Sequence, residues 1–128
     1  MSNEYVQKQN QPSLRRSLRS FQYAINGLRV LFHDEPNSRI HLFAACLIHL
    51  IGFWLRFSFG EWAAIWLCIG FVFAAEIFNT AIENLCDHVS PERNSTIGKV
   101  KDLAAAGVLV AATTSVVVAL FILVERVL

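Results

Sequence analysis

Four polar side chains, Glu76, Asn79, Glu83 and Asp87, follow one another at steps of 3, 4 and 4 residues. They come directly after fourteen residues, Trp62 to Ala75, that carry no charge. On a helix turning about 100° per residue, the four occupy one stripe roughly 80° wide. Ionisable groups are costly inside a bilayer, so acids on one face of a hydrophobic helix are hidden from lipid and offered to a partner. Two kinds of chemistry suit them. A partly buried carboxylate can act as a base toward an alcohol. Carboxylates beside Lys and Arg suit a divalent cation with polyphosphate, because Mg²⁺ takes one or two carboxylates and fills its shell with phosphate oxygens and water.

The composition says what must hold these groups. Hydrophobic residues make up 55% of the 128 residues and charged ones only 16%, against about 25% charged in an ordinary soluble domain. The expectation is a single integral-membrane domain. A net charge of +1 offers no whole-chain attraction for nucleic acid. Cys46, Cys68 and Cys86 lie in apolar runs without CxxC spacing, so buried free thiols are expected. Residues 1–12 are polar and aperiodic, which predicts a flexible tail and no signal peptide.

Along residues 13–35, Leu14, Leu18, Phe21, Ile25, Leu28 and Phe32 recur at helical spacing, with Arg15, Arg16, Arg19 and Arg29 on the other arc. This predicts an amphipathic helix suited to the membrane surface. Pro36 is expected to end it, leaving His33, Asp34 and Glu35 at a hinge. Three spans follow at 39–57, 62–87 and 100–124, the first capped by Asn37 or Ser38 and carrying His41 and His49. His49 is read as a hydrogen-bonded packing residue. Trp54 and Trp62 flank a turn at the far interface, where Ser58 and Glu61 have capping-box spacing. Gly107 and Ala111 form a small-xxx-small pair on the last span. Nine Lys and Arg fall in residues 1–39 and 88–101 and two elsewhere, which places the N-terminus and the 88–98 loop in the cytoplasm. The fold expected is an all-α membrane protein of three transmembrane helices plus an N-terminal surface helix.

That topology puts Glu83 and Asp87 at the cytoplasmic end of the middle span and Glu76 deeper, with Glu35, Lys101 and Asp102 on the same side. Blander readings exist for each. Glu83 and Asp87 can pair with a basic residue at the helix end, Asn79 can bond a neighbouring helix, and Lys101 and Asp102 can form a solvated helix start. Glu76 is hardest to explain without a function. No GxxxxGK[ST] loop, Gly-rich kinase loop, or HRD or DFG element is present.

Ala75-Glu76-Ile77-Phe78-Asn79-Thr80-Ala81-Ile82-Glu83, with Asp87 four further on, resembles the signature of the bacterial diacylglycerol kinase and undecaprenol kinase family. Tyr23 to Arg29, Glu35 before Arg39, Ser90-Pro91-Glu92 and Lys101-Asp102 resemble it in the same order, so the likeness covers roughly residues 14–124. It implies a homotrimer with active sites between subunits and transfer of phosphate from ATP to a membrane lipid alcohol, undecaprenol or diacylglycerol. It implies Glu76 as catalytic base and Glu35 and Glu83 as Mg²⁺ ligands. Arg16, Tyr23, Glu92, Arg93, Asn94, Lys101 and Asp102 are then nucleotide contacts, and Asn79 and Asp87 support the site. The implied location is the bacterial cytoplasmic membrane. Arg93-Asn94, Asn84 and Ala24 depart from the family's commoner Tyr-His, Ala and Ser. The rival reading is a small proton-coupled transporter or channel with Glu76 as its proton site.

Overall fold

The computed structural model describes residues 13–92 and 94–128; the tail expected at 1–12 lies outside the described residues. Four helices follow in order: α1 Ser13–Asp34, α2 Pro36–Leu55, α3 Phe59–Val89 and α4 Ser95–Val127. The last three are long and apolar enough to cross a membrane. At 1.5 Å per residue the 20 residues of α2 measure about 30 Å, the thickness of a hydrocarbon core. The 31 and 33 residues of α3 and α4 measure about 46 and 50 Å, so both overrun that core. α3 and α4 pair along much of their length, and α1 packs on α2 and α3.

Helix boundaries follow local chemistry and correct the expected ones. α2 starts at Pro36 rather than residue 39, because a proline at the first helical position loses no hydrogen bond. Glu35 is therefore the N-cap, extended at φ −104°, ψ 108° as a residue before proline must be, and Asn37 and Ser38 lie inside the helix. The Glu35 side chain makes no capping bond, which leaves its carboxylate for other work. Ser58 and Glu61 do form the capping box, so α3 begins at Phe59 rather than 62, and it runs on to Val89. α4 begins at Ser95 rather than 100, since the Asn94 side chain accepts from the Thr96 N–H at 2.8 Å. Lys101 and Asp102 are thus in its second turn and third turn's start, not at its opening.

At the far end, Phe57, Ile65 and Ile122 form the core, with Trp62 packed on Phe53 and Phe57 at ring separations of 5.0 and 5.5 Å. Trp54 is 82% exposed and is the tryptophan placed outward at that turn. A Cβ on Gly52 would lie 2.8 Å from both Phe57 and Trp62, so any larger residue would force one of these rings to shift. His49 Nδ1 donates to the Ala45 carbonyl oxygen at 2.7 Å, and the ring packs at a tilt on Trp62 and edge-on against Trp66, as a packing histidine should. All three cysteines are free; Cys86 is buried and Cys68 partly so, but Cys46 is exposed in the single chain, contrary to expectation, because no other helix of this chain covers its side of α2. Most large apolar side chains of the spans are exposed in the single chain, which leaves them to lipid or to further copies.

Candidate active site

Glu76 is 2% exposed, on the face of α3 that packs against α2. Its Oε1 lies 3.1 Å from His41 Nε2, although the two are not aligned as a hydrogen bond, and Oε1 has no other partner. His41 is five residues inside α2, which places the pair about 8 Å from the helix start and well within the span. A carboxylate buried at that depth is expensive without a partner. Three more sealed oxygens lie on the same side of the molecule without partners, Ser38 Oγ, Asn79 Oδ1 and Thr80 Oγ1.

One turn along the stripe, Asn79 Nδ2 donates to Glu83 Oε1 at 3.3 Å. This holds the Glu83 carboxylate along α3, rather than joining Asn79 to a neighbouring helix. Glu35 comes to the same place from the α1–α2 junction. Its burial, followed by the negative charges of Glu83, Glu76 and Asp34, pushes its proton affinity above the ordinary carboxylate value. The sequence spaces Glu35 forty-one residues from Glu76, and the fold brings both into one electrostatic cluster. The donors are all oxygens, two carboxylates with the unpartnered Asn79 Oδ1 nearby, and such a set suits Mg²⁺ completed by phosphate and water. Among the described residues no three acidic, His or Cys side chains converge closely enough to form an all-protein metal cage.

At the end of the stripe, Lys101 Nζ on α4 donates to Asp87 Oδ1 at 2.7 Å. Both line a polar cleft of about 400 Å³ together with Glu92, Asn94 and Gly98. Expected nucleotide contacts from two sequence segments therefore share one cavity, of a size that holds small ligands. Arg93 lies outside the described residues. Asp102 is exposed beside this cleft in sequence but does not line it. Arg16 and Tyr23 lie on exposed turns of α1, and among the described residues no ion pair or hydrogen bond of their side chains joins them to the cluster.

A second cavity of about 360 Å³ runs between α2, α3 and α4 at membrane depth, lined by apolar residues such as Ile48, Ile69, Val72 and Val116, with His41 among its lining. His41 thus links the groove to Glu76 at one end of the stripe, and Asp87 at the other end lines the polar cleft. Sequence reasoning missed His41 as a member of this site. The available signal was its place on α2 about as far from the Ser58 turn as Glu76 is, since antiparallel helices joined by a short turn set such residues level.

Comparison with known proteins matches residues 22–123 to the model of the family described as prokaryotic diacylglycerol kinase. The chain is 34% identical over 119 residues to the undecaprenol kinase of Bacillus subtilis, covering 93% of this chain and 97% of that protein. It is 30% identical over 94 residues to a diacylglycerol kinase of Haemophilus influenzae, covering 73% and 80% of the two chains. It is 28% identical over 108 residues to the diacylglycerol kinase of Escherichia coli K12, covering 84% and 88%. With ATP as the co-substrate such kinases imply, the proton-transporter reading is not favoured. The chain belongs to the prokaryotic diacylglycerol kinase family and is a membrane lipid kinase.

Proposed function

We propose that the chain transfers the γ-phosphate of ATP to the hydroxyl of a membrane lipid, with Glu76 as general base and with undecaprenol favoured over diacylglycerol as the acceptor. The observation that carries this reading is the near-complete burial of Glu76 within an apolar helix, 3.1 Å from a histidine that lines an apolar groove. Undecaprenol is favoured because the Bacillus subtilis undecaprenol kinase aligns over nearly the whole of both chains.

The residues divide the work by depth. Glu76 accepts the hydroxyl proton as the lipid oxygen bonds to the γ-phosphorus and the bond to the ADP oxygen breaks. Phosphoryl transfer of this kind depends on positioning and charge neutralisation more than on covalent catalysis. Glu35 and Glu83 would hold Mg²⁺, which when bound neutralises phosphate charge; the mutual repulsion at Glu35 supports that role. Asn79 orients Glu83, and Asp87 orients Lys101 toward the cleft. Lys101, Asp102, Glu92, Arg93 and Asn94 are the nucleotide contacts of one chain.

Arg16 and Tyr23 complete the nucleotide site from a neighbouring copy in a homotrimer. Their exposure on α1 and the uncovered apolar faces of the spans support this assembly. α1 lies on the membrane surface, and the distribution of Lys and Arg supports a cytoplasmic N-terminus and 88–98 loop. A radiolabelled-ATP assay on purified protein offered undecaprenol and diacylglycerol side by side tests the activity and the choice. Labelling of neither lipid contradicts the function, and preference for diacylglycerol contradicts the choice.

A further inference from the structure

We infer that His41 is a positioning residue for the general base: its imidazole fixes Glu76 Oε1 from across the α2–α3 interface, so that the other carboxylate oxygen is presented to the lipid hydroxyl. This rests on the reading of Glu76 as base.

Three observations meet at this side chain. His41 Nε2 is 3.1 Å from Glu76 Oε1, the only ring or ammonium nitrogen within ion-pair reach of that carboxylate among the described residues. Oε1 is sealed and has no hydrogen-bond partner, so His41 is the one polar group in reach that could fix it among the described residues. His41 also lines the apolar groove between α2, α3 and α4, which Glu76 itself does not line, so the imidazole lies between the groove and the carboxylate.

The chemistry follows from the inventory of the ring. A neutral imidazole protonated at Nε2 donates one hydrogen bond and carries no net charge into the span. It thereby stabilises a carboxylate without the expense of a second buried ion. The present misalignment does not oppose this, because catalytic hydrogen bonds commonly tighten only with substrate bound. In hydrolases a carboxylate orients a histidine base; here the order is reversed, with histidine orienting a carboxylate base. Unlike Asn79 and Asp87, which act on groups proposed to bind the nucleotide, His41 acts on the proton acceptor. Its loss should therefore appear in turnover rather than in ATP binding.

The test uses the full chain purified in detergent with mixed micelles of lipid alcohol, comparing wild type, His41→Gln, His41→Met and Glu76→Gln. Gln keeps an N–H donor at the reach of Nε2, whereas Met fills a similar volume without one. We expect His41→Met to lower kcat roughly tenfold or more, with KM for ATP changed by less than about twofold. His41→Gln is expected to stay within roughly threefold of wild-type kcat. Met retaining wild-type kcat, Gln and Met falling together, or a loss confined to KM for ATP would each overturn the inference. If the Met variant does not assemble, His41→Gln decides: near-wild-type turnover supports donor positioning and inactivity overturns it. An active Glu76→Gln removes the base itself, whereas an inactive Glu76→Gln beside a fully active His41→Met removes only the role of His41.

Discussion

Lys101 Nζ on α4 lies 2.7 Å from Asp87 Oδ1 on α3, joining the end of the acidic stripe to the helix that follows the loop. The Asp87 side chain is 65% exposed, and solvated pairs of this kind contribute little to stability. Its proposed value is orientation of Lys101 in the polar cleft. Asp87→Asn should therefore leave the thermal midpoint nearly unchanged while raising KM for ATP severalfold, on the order of 3- to 10-fold. A large fall in the midpoint with unchanged KM would make the pair structural instead.

Glu83→Ala removes one proposed Mg²⁺ ligand and the acceptor of the Asn79 amide. Affinity for MgATP should fall by about tenfold or more, measured by calorimetry in detergent. Unchanged affinity would exclude Glu83 from the metal site.

Glu35 sets a pH dependence whose sign follows from its surroundings. Burial and the charges of Glu83, Glu76 and Asp34 raise its folded-state pKa above the unfolded value. The folded chain therefore binds that proton more tightly, and the contribution of Glu35 to stability is present at low pH and lost as pH rises through the raised pKa. In metal-free buffer, Glu35→Gln should melt above wild type at neutral pH, and this advantage should vanish on acidification below the unfolded carboxylate pKa. Added Mg²⁺ should raise the wild-type midpoint more than that of the variant. A difference that does not vary with pH contradicts the electrostatic cluster.

Gly52 tests the packing that sets α2 against α3. A helix gains up to about 1 kcal/mol from Gly→Ala, but overpacking costs about 1–3 kcal/mol. Here the added methyl would meet two interlocked rings at 2.8 Å, so repacking should dominate. Gly52→Ala should lower the thermal midpoint in detergent; an unchanged or higher midpoint would show that Phe57 and Trp62 move aside freely.

What the sequence made legible was whatever depends on neighbours along the chain. The 3-4-4 spacing from Glu76 to Asp87 placed the acids on one face, and the apolar lengths marked three spans. Ser58 and Glu61 announced their capping box three residues apart. Boundaries were less legible where two signals competed. Pro36 reads both as the end of α1 and as the first residue of α2, and Asn94 as loop or cap. The contact between His41 and Glu76 joins residues on different helices, and a single sequence carries no direct record of such a pair. Arg16 and Tyr23 show the same limit at a larger scale, because their proposed partners belong to another copy.

Removal of the lipid hydroxyl proton is the role proposed for Glu76. Glu76→Gln keeps the side-chain shape, a carbonyl oxygen and a similar volume while removing the basic group. Transfer of radiolabelled phosphate from ATP to the lipid should fall below about a tenth of wild type and approach background, since general-base assistance contributes roughly 10²–10⁴-fold. The oligomer should remain intact on size exclusion. An intact Glu76→Gln oligomer that keeps more than about a tenth of wild-type transfer would fall short of that contribution and contradict the claim.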